Sequence, residues 1–181
     1  MAKANVVHLI TKLELGGAQR NTLLTVERLP RLGFLSQVWY GPGGLLTPQA
    51  ENLPHHKQIT HLQRSIHPLK DRAALHQLVD LLRRVKPQIL HTHSSKAGFL
   101  GRLAASRCKV PVVIHSVHGF PFSPLQPLLQ RKILMWAEKT AARWTRHFIF
   151  VSEADRQTAL RMGLCKENHS LIRSGFELEP F

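Results

Sequence analysis

Residues able to bind or transfer chemical groups gather in a few short stretches, each at the end of a β-rich run. Gly16-Gly17 follows Asn5–Thr11 directly. With no Cβ atoms, a glycine pair can take positive φ and lets a ligand come close to the main chain. Free amides at a following helix start would then favour an anionic group. A plain tight turn uses the same pair. His91-Thr92-His93 offers two imidazoles on one side of a strand end, with Ser94, Ser95 and Lys96 next. A metal site needs a third ligand at defined spacing, and no carboxylate stands nearby, so no metal is assigned. Ser94-Ser95 reads instead as a helix N-cap, with Lys96 directed at a phosphate or sugar. His118-Gly119 closes a further run, placing an imidazole where it can donate to a substrate hydroxyl or carbonyl oxygen. Ser152-Glu153 closes the last.

Several chemistries are excluded by what these stretches lack. No Gly-x-Gly-x-x-Gly follows the first run and no acid ends the second, which removes a dinucleotide site. No Gly-x-x-x-x-Gly-Lys-Ser/Thr is present, which removes a P-loop ATPase. A hydrolase nucleophile elbow fails as well, because Ile172 stands where Arg173-Ser174-Gly175 would need a preceding glycine. Cys108 and Cys165 lie in Arg- and Lys-flanked loops without a paired histidine motif. Two cysteines make no disulfide framework, which fits a reducing cytoplasm.

The elements that must carry these residues alternate. Strands are predicted over 5–11, 34–40, 58–62, 88–93, 110–115, 147–152 and 170–173. Helices are predicted over 18–32, 69–85, 97–107, 124–146 and 153–162. Runs such as Phe148-Ile-Phe-Val151 show no polar alternation, as strands covered on both sides require. Short apolar strands joined by helices imply right-handed βαβ units. The expected fold is α/β: a doubly wound, mostly parallel Rossmann-like sheet forming one domain over 1–181. In such sheets ligands lie beyond the carboxyl ends of the strands, where all of the stretches above fall.

Charge adds a second theme. The 181 residues carry 25 Lys and Arg against 11 Asp and Glu, a net charge of +14. Between Arg83 and Arg146 the only acid is Glu138. On a helical wheel Arg131, Lys132, Lys139, Arg143 and Arg146 share one third of the 124–146 helix. Ile133, Ala137, Thr140, Ala141 and Trp144 lie opposite, with Trp136 at the boundary. A basic stripe edged by tryptophan suits an anionic membrane surface; a solvated face over a core-packed helix gives the same pattern. No apolar run reaches the ~20 residues of a membrane span; the short stretch Val6–Ile10, followed by polar Thr11-Lys12, is not expected to act as a secretory signal. Nucleic-acid readers add stacking aromatics or a recognised module, so no nucleic-acid partner is assigned.

Taken in order, the motifs resemble the N-terminal domain of family-4 glycosyltransferases, which have the two-domain GT-B fold. The resemblance rests on Val6-Val-His-Leu-Ile-Thr-x-Leu-Glu-Leu-Gly16-Gly17, Ile89-Leu-His-Thr-His93-Ser-Ser-Lys-Ala-Gly98, His115-Ser-Val-His118-Gly119-Phe120 and Phe150-Val-Ser152. It implies that Gly16 and Gly17 lie against the donor diphosphate and that His118 contacts the transferred sugar. His93, Ser94, Lys96, Gly119, Ser152 and Glu153 would line the same cleft. It further implies metal-independent transfer, which in this family usually retains anomeric configuration, without a cofactor, from a nucleotide-sugar to a lipid-linked, lipopolysaccharide-type or polysaccharide-type acceptor. The donor-binding domain would lie outside these residues, leaving 1–181 inactive alone. The expected location is the cytoplasm, peripheral on the inner face of the plasma membrane. A non-catalytic subunit docking at a membrane and recruiting a separate donor-binding subunit is the alternative, and a basic nucleic-acid-binding domain the third. Departures are Ser174, Phe176 and Glu177, where the family has Asn-Gly-Ile/Val-Asp, and no pair of glutamates eight apart.

Overall fold

The computed structural model describes residues 4–123 and 125–175. Its order is β1 (Asn5–Ile10), α1 (Gly17–Arg28), β2 (Leu35–Tyr40), α2 (Thr47–Glu51), β3 (His56–Gln58), α3 (Pro68–Val85), β4 (Ile89–His93), α4 (Ser95–Cys108), β5 (Val112–Val117), α5 (Leu128–Ala142), β6 (His147–Phe150), α6 (Glu153–Met162) and β7 (His169–Leu171). All pairings are parallel, in the order β3-β2-β1-β4-β5-β6-β7. The order reverses between β1 and β4, the place where a doubly wound sheet opens a crevice.

The core is layered as the expected fold requires. Val7, Leu9, Leu90 and Val113 pack with Leu75, Leu78, Leu82, Leu100 and Ala104 of α3 and α4. Ile10, Val38 and Tyr40 pack with Leu23 and Val26 of α1 and with Ala50 of α2. Phe148 and Phe150 join Ala159, Leu164 and the buried Cys165. Burial raises both thiols above their usual range, consistent with inert cysteines.

Some boundaries differ from the sequence reading, each for a local reason. The helix over 18–32 is α1 followed by a 3-10 turn, Leu29–Leu32, because Pro30 has no amide to extend the ladder; Gly33 ends it at φ 86°. The strand expected over 58–62 does not form: β3 is His56–Gln58, sharing only Gln58 with it, and Ile59 and Leu62 are core anchors in the turn that follows. Pro111 cannot donate to the sheet, so β5 starts at Val112 and runs to Val117, leaving His118 as the first residue beyond. The short α2 was not foreseen, since five residues show no periodicity. The helix over 124–146 is α5 alone: Pro127 caps it, Pro124 lies outside the described residues, and the Arg146 amide already donates to Val113 O (2.8 Å).

Candidate functional site

The site is built where β1 and β4 leave the sheet together. Thr11, one residue past β1, reaches the start of α4: its Oγ1 accepts from the Ala97 amide (3.0 Å) and meets Ser94 Oγ at 2.7 Å. The Thr11 amide donates to Ser94 Oγ (3.2 Å). Ser94 therefore occupies the N-cap position but its own side chain does not cap; Thr11 does. Ser94 has φ 61° and ψ 157°, a region that costs a non-glycine residue about 1–3 kcal/mol. Its two Oγ contacts and the bond from the Gly98 amide to its carbonyl (2.7 Å) hold it there.

Lys96 is placed differently from the expectation. Its ammonium donates to both Asp71 carboxylate oxygens (2.6 and 2.7 Å) and to Ser65 O (2.7 Å). It ties α4 to α3, and its charge is engaged there rather than turned to the crevice.

Four histidines line one side of the sheet and its edge. Parallel register sets His8 of β1 beside His91 of β4, and period-two alternation puts His93 on the same side. His8 Nδ1 pairs with His93 Nε2 (3.2 Å), and His93 Nδ1 with His118 Nε2 (3.4 Å). His91 Nε2 pairs with Ser116 Oγ (2.8 Å). Burial pushes His8 down to about 4 and, with neighbouring histidines second, holds His91 and His93 well below the usual imidazole range. Burial also lowers His118, against the opposing pull of the Asp155 carboxylate. At neutral pH the chain of rings is uncharged, able to donate and accept but carrying no cationic charge.

The glycine and serine residues complete the edge. Gly16 is extended, with φ −166° and ψ 164°, and neither it nor Gly17 takes positive φ, contrary to one reason for expecting glycine there. Among the described residues a Cβ on Gly17 would meet nothing within 4 Å, and one on Gly16 only the pliable Gln19 side chain. Gly119 does require glycine, at φ +102°. Ser152 caps α6, its Oγ accepting from the Asp155 amide (3.1 Å) and donating to Asp155 Oδ2 (2.7 Å). Glu153 is exposed and bound to Arg156 (2.8 Å), which holds its carboxyl below the usual range. Thus Thr11 joins Ser94, and His8, His93 and His118 join one another, while Lys96 and Glu153 bond elsewhere. His8, Thr11 and Asp155 escaped the sequence reading; a histidine inside an apolar strand was the one available signal.

The basic helix is rotated from its expected setting. Buried Glu138 on α5 pairs with fully buried Arg102 of α4 (2.8 Å), which turns the Glu138–Ala141 side inward. Trp136 and Ile133 are consequently 64% and 53% exposed, together with Leu128, Leu129, Lys132, Lys139 and Arg143. Ile133 was expected on the buried side. Arg131 is half-buried, and Arg143 and Arg146 lie past the helix end. Among the described residues no helix is long and apolar enough to cross a membrane.

Comparison with known proteins decides the family. The sequence pattern of Glycosyltransferase Family 4 matches residues 15–180. The chain belongs to glycosyltransferase family 4. It is 33% identical to the Escherichia coli UDP-Gal:alpha-D-GlcNAc-diphosphoundecaprenol alpha-1,3-galactosyltransferase, covering 99% of this chain and 47% of that protein. It is 26% identical over 125 residues to the Staphylococcus aureus capsular polysaccharide biosynthesis glycosyltransferase CapM, 66% of this chain and 33% of that protein. Its fold matches Anabaena Alr3699/HepE in complex with UDP at a TM-score of 0.74 and 17% identity, over 97% of this chain and 45% of that one. The family-4 chain thus spans about half the length, or less, of the curated relatives it matches.

Proposed function

We propose that this family-4 chain is the acceptor-side part of an enzyme that moves a sugar from a nucleotide-sugar to a lipid-linked or polysaccharide-type acceptor. The observation that carries this reading is that, at the β1–β4 switch point, an open Gly17 follows β1 while a histidine chain from β1 and β4 ends at His118 just past β5. Neither backbone conformation nor packing demands glycine at Gly17, so the missing side chain leaves room for a ligand at the α1 N-terminus, where free amides favour a diphosphate. Neutral His118, with one nitrogen held by His93, keeps the other for a sugar hydroxyl. Gly119, Ser94, Ser152 and Glu153 stand at the same strand ends. The E. coli relative, whose name gives a UDP-sugar donor and a diphosphoundecaprenol-linked acceptor, favours this substrate class.

Transfer is proposed to need no metal and no cofactor, to retain anomeric configuration, and to be absent from residues 1–181 alone. The exposed apolar and basic face of α5, with Trp136, Lys132, Lys139 and Arg143, is proposed to hold the protein peripherally on an anionic cytoplasmic membrane surface.

The test is transfer from UDP-sugars to a polyprenyl-diphosphate-linked sugar by the full-length enzyme, with product configuration read by NMR. Transfer that survives EDTA and falls on the order of tenfold or more in His118→Ala is expected. No transfer by the intact enzyme, or transfer by residues 1–181 alone, would refute the reading. Charge reversal at Lys132, Lys139 and Arg143 should abolish sedimentation with phosphatidylglycerol vesicles; retained sedimentation would remove the membrane assignment.

A further inference from the structure

We propose that His8, His91 and His93 form a binding site for one divalent transition-metal ion of the zinc class. The inference does not rest on the transferase reading. One ring nitrogen from each of these residues lies within 4.8 Å of the others. The ligands come from two adjacent strands whose register is set by main-chain bonding, so their Cα positions are rigid. Zinc holds imidazole nitrogens at about 2.0–2.1 Å in a tetrahedron, which sets neighbouring nitrogens about 3.3 Å apart. His8 Nδ1 and His93 Nε2 already stand at 3.2 Å. Imidazole χ2 angles are broad, so ring rotation is the motion that brings the third nitrogen in.

The surroundings favour coordination. Neutral imidazole is the ligating form, and burial keeps all three rings neutral. His91 donating from Nε2 to Ser116 Oγ, and His93 pairing through Nδ1 with His118, would leave the opposite nitrogens as lone pairs, as outer partners do for metal-bound histidines. An all-nitrogen set without a carboxylate selects a zinc-class ion over Mg2+ or Ca2+, which require oxygen. Three histidines leave a fourth position for water or another oxygen ligand.

Zn2+ titrated into the EDTA-stripped and dialysed chain, followed by calorimetry, should bind at one equivalent, and Co2+ should give the intense visible absorption of a tetrahedral site. His8→Leu should abolish this site, and Ser116→Ala should weaken it about 10–100-fold. Exposed His55 and His56 are the controls: a His55→Gln, His56→Gln double variant should bind as before. Should His8→Leu not fold, NMR of the wild-type imidazoles decides, with Zn2+ shifting His8, His91 and His93 and leaving His55 and His56 in place. Absence of stoichiometric binding, a weak octahedral Co2+ spectrum, or full affinity in folded His8→Leu would overturn the proposal. So would ring shifts confined to exposed histidines.

Discussion

The two sides of the sheet at β4 and β5 both bury histidine, and they treat it in opposite ways. Toward α4, His115 Nδ1 pairs with Thr92 Oγ1 (2.9 Å), its ring meets Phe148 edge-on, and Gly98 makes room for it. Beside it, Arg102 is bonded to Glu138, Gly98 O and Thr145. Toward the other side, His8 pairs with His93 (3.2 Å) and His93 with His118 (3.4 Å), the His91 ring lies against both His8 and His93, and His8 Nε2 has no partner among the described residues. The first arrangement is closed and welds α4 to α5. The second leaves His8 Nε2 without a partner among the described residues, at the side of the sheet where the crevice opens. Similar burial thus goes with a fully bonded cluster on one side and, on the other, with the histidines proposed above as a ligand site.

The sharpest break of that comparison is on the closed side. Arg102→Met would leave the Glu138 carboxylate buried without a counter-charge, and a loss of about 3–5 kcal/mol is expected in urea unfolding. Adding Glu138→Leu should restore most of it, because replacing both partners removes the stranded charge. A single variant that unfolds like the parent would mean that the pair is not closed as described.

The next effect is in pH. Burial first, then the Arg102 guanidinium, holds His115 well below its usual range, so the folded chain resists a proton that the unfolded chain accepts near pH 6.5. Stability is then complete above about pH 6.5 and declines as pH falls below it, since the unfolded state binds more protons there. His115→Asn should flatten that decline relative to the parent, measured as urea midpoints between pH 7.5 and pH 5. An unchanged slope would place His115 outside the closed set.

A smaller effect is expected where β1 meets α4. Thr11→Val removes the cap on the Ala97 amide and a partner of Ser94, costing about 1 kcal/mol. It should also release Ser94 from φ 61°. Hydrogen exchange at Ala97 should rise, while exchange at the α4 C-terminus stays as in the parent.

Why Thr11 and His8 went unread shows what kind of information the chain displays locally. α6 was legible end to end, because Ser152 caps it, Gly163 stops it at φ 68°, and both signals sit beside their helix. Alternating β and α runs were enough for the parallel sheet, and parallel strands carry their carboxyl ends to one edge, so the loops of the site could be chosen. The pairing of His8 with His93 spans 85 positions and exists only in the register of β1 on β4. The rotation of α5 is equally nonlocal: a wheel ranks Ile133 as buried, but the Arg102 charge from another helix draws Glu138 inward instead. Lys96 follows Ser94-Ser95 as a phosphate ligand would, but Asp71, 25 residues away, holds its ammonium.

The smallest effect on stability tests the open side most directly. Gly17→Ala adds a methyl group that meets no atom within 4 Å, at a backbone angle that any residue adopts. Alanine is also the better helix former, by up to about 1 kcal/mol in a helix interior and less at a first turn. The thermal midpoint should therefore stay level or rise slightly. In the full-length enzyme the same methyl would stand where a diphosphate has to approach the α1 amides, so the KM for the nucleotide-sugar should rise. A stable variant with impaired donor binding would mean that the space beside Gly17 belongs to the ligand. A stable variant with unchanged kinetics would return the glycine pair to the status of a plain turn and leave the histidine chain as the sole marker of the site.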